Sequence, residues 1–422
     1  MKNKIRFAAP ILGIIAVCLM LPGIAHSAIR GIEGTTFNLV AKDGYIQTGD
    51  GYSLYFWGYA NADSVSAAPQ YPGPTLIVEQ GATVTINLTN QLDVPVSIVF
   101  PGHTGVTSTG DTAGLLTNEA DPLGGTAQYT FAASEPGTYM YHSGSIADLA
   151  VEMGLVGAII VRPASAMQAY NHPDSTYDRE FLFLLTEMDP YIHILVELGY
   201  GSFVDNSDYF PVLWFINGRN APDTMAPAGA NWLPTQPYNC MPMMHPGERI
   251  LLRFIGGGRD MHPFHHHGNN AITIAQDGRL LESNPGVSGP DLAESDFTEP
   301  IFAGHTLDAI FTWTGAGLGW DFYGHSPGDP LEPNEDPADH GKPFPVVLPG
   351  LQDLAFGGVW SGSPFLGKKG PLPPGEGINN LHGAYYYMWH SHTEKEMTNW
   401  DIFPGGMMTM LMIHHPDTVI NE

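Results

Sequence analysis

Two short segments of the chain carry histidines at the spacing of metal ligands. In "MHPFHHHGNN" His265 and His267 stand two residues apart, and in "YYYMWHSHTEKEMTNW" His390 and His392 do the same. Because side chains alternate along an extended strand, the members of each pair leave the same face. Neutral imidazole is a good ligand for copper, zinc, iron and nickel. The sequence therefore predicts metal binding by these paired histidines.

Three other histidines belong to the same pattern. His262 lies one bend before His265, where Pro263 interrupts the regular alternation, so the segment is suited to serve two neighbouring sites. His142, in "GTYMYHSG", is by itself better explained as a satisfied polar or a surface residue of a strand, and His266 is expected to face away as a structural residue. The candidate metal ligands are His142, His262, His265, His267, His390 and His392.

The composition predicts that these residues are carried on short strands. The 422 residues include 50 Gly and 36 Pro, and 43% of them are hydrophobic whereas only 14% are charged. Such a chain favours many strands joined by turns. In "ATVTINLTN" the apolar residues Val84, Ile86 and Leu88 alternate with polar ones, which is typical of a half-buried strand. The fold class is therefore predicted to be all-β.

The chain divides into two strand-rich units. We place the first at residues 28–165 and the second at 179–418, separated by the linker-like "ASAMQAYNHPDSTYD". Strand patterning fails at about 315–380, where Pro and Gly are frequent, which indicates an insertion that is either a long surface loop or partly disordered. The two units look like two copies of one architecture.

Residues 1–27 have the pattern of a signal peptide, with a basic start, an apolar run and small residues at the end. We therefore expect a periplasmic or extracellular protein with no membrane span in the mature chain. Removal of this segment changes the formal net charge from -27 to -30 and leaves Cys240 as the last cysteine, which excludes an internal disulfide. So acidic a protein repels nucleic acid and attracts metal ions, although solubility alone also explains the charge.

Several motifs resemble those of the multicopper oxidases, the laccase and bilirubin oxidase group. "HPFHHHG" is similar to their His-Pro-x-His-x-His-Gly segment, and "WHSHTEKEMTNWDIFPGGMM" resembles their final His-Cys-His segment. "YPGPTLIVEQGATVTINLTN" and "GTYMYHSG" are similar to two motifs of the first domain. The resemblance covers nearly all of the mature chain except the insertion. It implies two cupredoxin-like Greek-key β-sandwich domains and copper as the cofactor.

The resemblance also implies a role for each candidate ligand. His265 matches a ligand of the single copper in the family's three-copper cluster. His267 with His390, and His142 with His392, match ligands of the coupled copper pair. His262 matches a ligand of the separate copper that accepts electrons. Two-domain members of the family often assemble this cluster between subunits, which leaves a homotrimer open.

The match to the cluster ligands is incomplete. "SIVFPGH" stands where the family has its first His-x-His, so Val99 and Pro101 replace two ligands and the displaced His103 is the nearby substitute. Gly144 replaces a third histidine. The four-electron reduction of dioxygen at a full three-copper cluster is therefore not expected.

The match to the electron-accepting copper site is broken as well. Ser391 replaces the cysteine, and Glu396 stands at the spacing of the last histidine. A serine hydroxyl is a weak, hard ligand that stays protonated near neutral pH, so the usual electron entry is absent. Cys240, Met243 and His245 have blue-copper residue types, but they are crowded into one loop unlike the usual site.

We interpret the chain as an exported multicopper-oxidase-like protein that binds copper or a similar transition metal at a reduced interdomain histidine site. An active form is expected to oxidise small reductants or metal ions such as Mn(II) or Fe(II). The alternatives are a non-catalytic binding or structural protein with the same fold, and a copper carrier. The carrier would use two groups of methionines, one near Cys240 (Met241, Met243 and Met244) and one near the C-terminus (Met407, Met408, Met410 and Met412). Packing on a buried strand explains the C-terminal group better.

Overall fold

The computed structural model of the chain describes residues 29–344, 365–367, 370–371, 379–380 and 383–420. The expected signal segment and a large part of the expected insertion lie outside these residues. Among the helices that are described, none combines the length and the apolar character needed to cross a membrane.

The first domain consists of short strands and one helix, α1, at Ala147–Glu152. The alternation read from the sequence in β5 is confirmed, because Val84, Ile86 and Leu88 are buried and their neighbours are more exposed. The strands are β1 Ile32–Glu33, β2 Thr36–Gln47, β3 Ser53–Asn61, β4 Leu76–Glu79, β5 Thr83–Asn90, β6 Thr107–Gly110, β7 Thr112–Ala113, β8 Asn118–Glu119, β9 Thr126–Ala132, β10 Gly137–His142 and β11 Val156–Arg162.

These strands form two sheets packed face to face. One has the order β1-β4-β11-β10 and the other the order β3-β2-β5-β9-β6. Inward-facing residues of both sheets, such as Leu76 and Ile159 from one and Phe37 and Ile86 from the other, share one core. The first domain is therefore a β-sandwich with strands that cross between non-consecutive neighbours.

The second domain repeats this plan with α2 at Pro190–Glu197, preceded by Asp189, whose carboxylate accepts the N–H of Tyr191 and caps the helix. Short 3-10 helices lie at Pro173–Ser175, Gly201–Phe203, Asp223–Met225 and Glu394–Met397. The strands are β12 Arg179–Met188, β13 Leu213–Ile216, β14 Met243–Met244, β15 Arg249–Gly256, β16 His262–His266, β17 Ala271–Gln276, β18 Arg279–Leu280, β19 Glu294–Asp296, β20 Thr298–Ile301, β21 Thr306–Thr312, β22 Gly370–Pro371, β23 Asn379–Asn380, β24 Tyr385–Ser391 and β25 Met408–Ile413.

The two main sheets of this domain again enclose a core. One has the order β13-β12-β15-β21-β17-β18, with β19 beside β17, and the other has the order β14-β25-β24-β16-β20. Phe183 and Phe254 from the first sheet pack against Phe264 and Trp389 from the second. The prediction of an all-β chain built from two sandwiches is confirmed.

An apolar layer joins the two domains. It contains Phe56, Met140 and Ile160 of the first domain together with Leu184 and Phe215 of the second. Because apolar surface removed from water contributes roughly 25 cal/mol per Å², a continuous layer of this kind holds two sandwiches together without a disulfide.

A charged network lies beside this layer at Arg253, which is fully buried on β15. Its Nε donates to Glu180 at 3.0 Å, and its Nη1 lies 3.0 Å from the hydroxyl of Thr138 and 3.6 Å from the carboxylate of Asp308. Although burial raises the pKa of Glu180, the positive charges and hydrogen bonds of Arg253 and Arg162 together outweigh it and lower that pKa. Since Thr138 belongs to β10, the network ties the first domain to the second.

The described part of the expected insertion, residues 315–344, contains no helix or strand, as its sequence predicts. It is not a surface loop throughout, however. Trp320, Phe322 and Tyr323 are buried and pack with Trp313 and Tyr385 of the second domain. Because a buried aromatic side chain removes about 150–250 Å² from water, these three residues anchor the segment to the core.

Replacing Arg253 with Ala is expected to lower the free energy of unfolding by about 3–5 kcal/mol, because the buried Asp308 loses its cation and the buried Glu180 keeps only Arg162. The measurement is urea unfolding followed by tryptophan fluorescence. Replacing the exposed Arg30 with Ala is the control, with an expected change below about 0.5 kcal/mol. Equal stability of the two variants would contradict the role given to this network.

Candidate metal centre

The strands β16 and β24 lie side by side and carry the paired histidines. They run antiparallel, with His265 opposite His390 and Phe264 opposite Ser391. Phe264 and Trp389 belong to the apolar core of the domain. Because successive side chains point to opposite faces of a strand, His265 and His390 leave the face turned away from that core.

The structure brings His265, His267, His390 and His392 together on this face. The ring centroid of His265 lies 4.7 Å from that of His267, 5.4 Å from His390 and 4.5 Å from His392. The Nε2 atoms of His267 and His390 are 3.3 Å apart. One ring nitrogen each from His265, His267 and His390 lie within 4.8 Å of one another. We call these four residues the histidine quartet.

Backbone carbonyls orient two members of the quartet. The Nδ1–H of His390 donates to the carbonyl oxygen of Ser391 at 2.7 Å, and that of His265 donates to the carbonyl of Phe297 at 2.6 Å. A carbonyl can only accept, so in the neutral rings the lone pair is on Nε2. Burial lowers the pKa of His390 to about 4 and also lowers that of His265. Both rings are therefore neutral, and able to bind a cation, near pH 7.

The quartet is open on one side. His267 and His390 are buried, His265 is half-buried and His392 is exposed. Phe297, whose ring contacts that of His265, is 58% exposed.

His142 is not in the group of mutually close ligand atoms. It ends β10 of the first domain, where its backbone pairs with Val99 and its Nδ1–H donates to the carbonyl of Ser143 at 2.9 Å. Burial lowers its pKa. The ring is therefore neutral and oriented in the same manner as His390, although it lies on another domain.

The ligand positions that the first domain lacks are filled by packing. A Cβ atom at Gly144 would lie 2.7 Å from Cγ1 of Val99 and 2.9 Å from the hydroxyl of Ser97. Real Cβ atoms do not tolerate such contacts, so an imidazole at position 144 requires its neighbours to move. The displaced His103 packs between Phe131 and Tyr139, with centroids 4.5 and 4.4 Å away, and burial lowers its pKa to about 4.

His262 lies between two buried carboxylates instead of beside a metal position. Its Nδ1 is 2.9 Å from Glu396 and its Nε2 is 2.9 Å from Glu187. Although burial lowers the pKa of His262, its hydrogen bonds to these carboxylates and their negative charges raise it to about 9. The protonated ring donates at both nitrogens and has no lone pair for a metal. The expectation that His262 binds the electron-accepting copper does not fit this arrangement.

Glu187 is the member of this triad that sequence reasoning missed. It lies on β12, 75 residues before His262, and also accepts the backbone N–H groups of Arg259 at 2.5 Å and Asp260 at 3.0 Å. The available signal was a carboxylate inside the otherwise apolar run "REFLFLLTEMD". A fully buried carboxylate on a strand needs a partner, which that run alone did not identify.

The other sulfur and hydroxyl candidates have structural partners. The hydroxyl of Ser391 is buried and accepts the N–H of Thr393 at 3.1 Å. The thiol of Cys240 donates to the carbonyl of Ile216 at 2.9 Å, and burial raises its pKa to about 12. His245 has a partner at each ring nitrogen, the carboxylate of Glu248 and the carbonyl of Thr418. These side chains therefore do not form a blue-copper set.

The methionines of β25 pack as predicted. Met408 is buried in a small apolar cluster with Met388 and Ala221, against which Met410 packs. The register also sets Met408 directly opposite His390, so its thioether lies on the same face as the quartet. Apolar packing therefore accounts for these methionines, and Met408 borders the candidate metal centre.

Comparisons with known proteins agree with this architecture. A family profile described as multicopper oxidase matches residues 53–166. Copper resistance protein A of Pseudomonas syringae pv. tomato is 24% identical over 242 residues, which are 50% of this chain and 38% of that protein. An L-ascorbate oxidase of Brassica rapa subsp. pekinensis is 28% identical over 178 residues, which are 41% of this chain and 27% of that protein. The chain thus spans well under two thirds of these relatives.

Solved structures share the fold over most of the chain. A blue copper oxidase from Nitrosomonas europaea has a TM-score of 0.57 at 21% identity, covering 92% of this chain and 87% of that one. A copper nitrite reductase from the same organism has a TM-score of 0.51 at 15% identity, covering 92% and 95%.

The profile match in the first domain, the copper-protein relatives and the common cupredoxin-type sandwich agree with the motifs of the second domain. Together these findings support the interpretation that the chain is a divergent relative of the multicopper oxidases, with the family match itself confined to residues 53–166.

Proposed function

We propose that this protein is exported and binds copper at the histidine quartet, where it oxidises small reductants. The observation that carries the proposal is the convergence of four imidazoles on one face of β16 and β24. The proposed location, the periplasm or the outside of the cell, rests on the signal-like pattern of residues 1–27.

The donor set fits copper. Imidazole suits Cu(II), and metal–nitrogen bonds of about 2.0–2.1 Å place two ligands of a tetrahedral ion about 3.3–3.4 Å apart. The 3.3 Å between the Nε2 atoms of His267 and His390 agrees with a shared ion. Bound copper would supply a one-electron acceptor that cycles between Cu(II) and Cu(I). Carbonyls that hold the Nδ1–H groups of His265 and His390 keep the rings in place in both states.

The route by which a reductant would reach the quartet differs from the family pattern. With Ser391 buried and His262 held as a cation, no thiolate or free imidazole connects a distant electron donor to the site. A reductant would have to approach the exposed side of His392 directly. The formal net charge of -27 favours cationic reductants, and Mn(II) and Fe(II) are the proposed examples.

Non-catalytic copper binding, including a carrier role, is the second candidate. It is favoured by the packing that fills the ligand position at Gly144 and by the thioether of Met408 opposite His390, since soft sulfur ligands suit Cu(I). Oxygen consumption in the presence of Mn(II) or Fe(II) distinguishes the two candidates, because a carrier binds copper without turnover.

A homotrimer would complete the site with His142 of a second copy. Apolar side chains are exposed beside both halves: Leu115 (95% exposed) and Leu116 (63%) near Val99 and His142, and Phe297 near His265. Two different surfaces that cover each other head to tail close into a ring when the rotation permits. In such a ring, the first domain of one copy would meet the second domain of the next, and the expected site between domains would form at that contact.

The double change His390→Ala and His392→Ala should abolish tight copper binding while the protein stays folded, because half of the imidazoles are removed. Met408→Leu with Met410→Leu is the matched control on the adjacent strand, and it should keep its copper, since such swaps in a core cost under about 1.5 kcal/mol. Copper content after dialysis and the electron paramagnetic resonance spectrum are the measurements. Equal copper in wild type and the histidine variant would reject the proposed site.

Copper-loaded protein is expected to lack the intense blue absorption of a copper–thiolate bond, and Ser391→Cys alone should not restore oxidation of a phenolic dye. Glu396 and a protonated His262 would still stand at the positions where the family motif has two imidazoles. Visible absorption and oxygen uptake are the measurements. Dye oxidation with oxygen uptake by this single variant would mean that the electron route is more complete than proposed.

Leu115→Lys with Leu116→Lys should convert the trimer into monomers, because charged residues in the centre of an apolar contact are strongly unfavourable. Light scattering after size-exclusion chromatography gives the mass of each species. Val65→Lys, at a fully exposed apolar position, is the control and should remain trimeric. A wild-type protein that is monomeric at all concentrations would refute the assembly without affecting the quartet.

A further inference from the structure

A second group of metal-ligand side chains lies in the segment that follows β21. It consists of Asp321, His325, Glu335 and His340, and one ligand atom from each lies within 4.8 Å of all the others. The carboxylates are buried and the two imidazoles are half-buried. None of these residues belongs to the quartet or to the motifs that relate the chain to its family, and no periodicity of the sequence indicates them.

The separations in this group are those of ligands around a small cation. The Nδ1 of His325 lies 3.5 Å from Asp321 and 3.3 Å from Glu335, and the Nδ1 of His340 lies 3.6 Å from Asp321. Tetrahedral zinc with bonds of about 2.0–2.2 Å has ligand atoms about 3.3–3.6 Å apart. The contact of His340 with Glu335 is closer, at 2.6 Å.

The Nδ1 atoms of both histidines are directed at the carboxylates. The Nε2–H of His340 donates to the carbonyl of Asp329 at 3.0 Å and its Nδ1 is hydrogen-bonded to Glu335 at 2.6 Å, so a metal ion would take the place of the Nδ1 proton and bind that lone pair. The Nδ1 of His325 is buried and makes no hydrogen bond within the described residues, although carboxylates lie on two sides of it. A cation at the centre would satisfy both lone pairs and both carboxylates.

Backbone groups hold the carboxylates in position. The Oδ2 of Asp321 accepts the N–H of Gly341 at 2.7 Å, and its Oδ1 accepts the N–H of Tyr323 at 2.9 Å. The Oε2 of Glu335 accepts the N–H of Glu332 at 2.8 Å. Metal ligands are characteristically fixed in this way by groups outside the coordination sphere, including a carbonyl on the distal nitrogen of a ligating histidine.

We propose that Asp321, His325, Glu335 and His340 bind one divalent first-row cation, with zinc as the best fit, and that this ion fixes the fold of the segment. Two carboxylates neutralise a divalent ion, and four protein ligands fill a tetrahedral sphere without an open position, which is the mark of a structural site. Residues 315–344 form no helix or strand, and Trp320, Phe322 and Tyr323 are the aromatic residues that anchor them to the core. An ion bound by both Asp321 and His340 would close the loop between these two residues.

The test uses the full chain carrying His265→Ala, His390→Ala and His392→Ala, which removes the quartet. After treatment with a chelator and dialysis against zinc, this protein should retain one zinc per chain, and zinc should raise its melting temperature. Adding His325→Gln and His340→Gln should abolish both effects. The matched control adds His172→Gln and His305→Gln instead, because each of these half-buried histidines has a single aspartate 3.8 Å away, and it should keep its zinc.

A measurement that needs no further variant covers the case in which the glutamine protein fails to fold. Cobalt(II) bound to the chain without the quartet should give the intense visible bands of a tetrahedral ion. No bound zinc and no such bands, or equal zinc with and without His325 and His340, would overturn the proposal and leave a group of ion pairs. Failure of the wild-type chain, with its quartet intact, to bind copper while zinc is retained here would count against the proposed function alone.

Discussion

The antiparallel register of β16 and β24 is the constraint on which the candidate metal centre depends. It sets His265 opposite His390 on one face and Phe264 opposite Ser391 on the other. Phe264 packs 5.5 Å from both Phe183 and Phe254 between ring centroids, so the aromatic core specifies this register. A slip of one residue would turn the aromatic rings to solvent and the histidines into the core. The geometry of the quartet is therefore a consequence of apolar packing on the reverse side of the same two strands.

His262, which the sequence resemblance matched to a ligand of an electron-accepting copper, belongs to an ion triad. His262 donates to Glu187 and Glu396 at 2.9 Å each and is completely buried. Removing one member of such a triad leaves an uncompensated buried charge, which costs about 3–5 kcal/mol. The triad connects β12, β16 and the 3-10 helix after β24, so pairing of buried charges holds these three elements together. A protonated imidazole supports the structure but does not take part in copper chemistry.

Two kinds of order coexist in the second domain. The sandwich is held together by its apolar core and by the buried Arg253 network. Residues 315–344, in contrast, form no strand and so make no inter-strand hydrogen bonds. Their order depends on three anchored aromatic residues and on the convergence of imidazoles and carboxylates at Asp321 and Glu335. Histidine clusters thus occur in two settings in one domain, one on rigid strands with an open side and one enclosed by a loop.

The sequence by itself determined the all-β fold, the strand alternation and the shared face of each His-x-His pair, because these follow from the period of a strand and from motifs that are local in the chain. Tertiary structure alone decided that His262 is paired with Glu187 and Glu396, 75 and 134 residues away. It likewise decided that His142 lies outside the close group and that Asp321 and His340 meet. The physical reason is that burial and charge pairing depend on which elements pack together, and neither the partner of a buried charge nor the closing of an irregular loop has a period that a sequence displays.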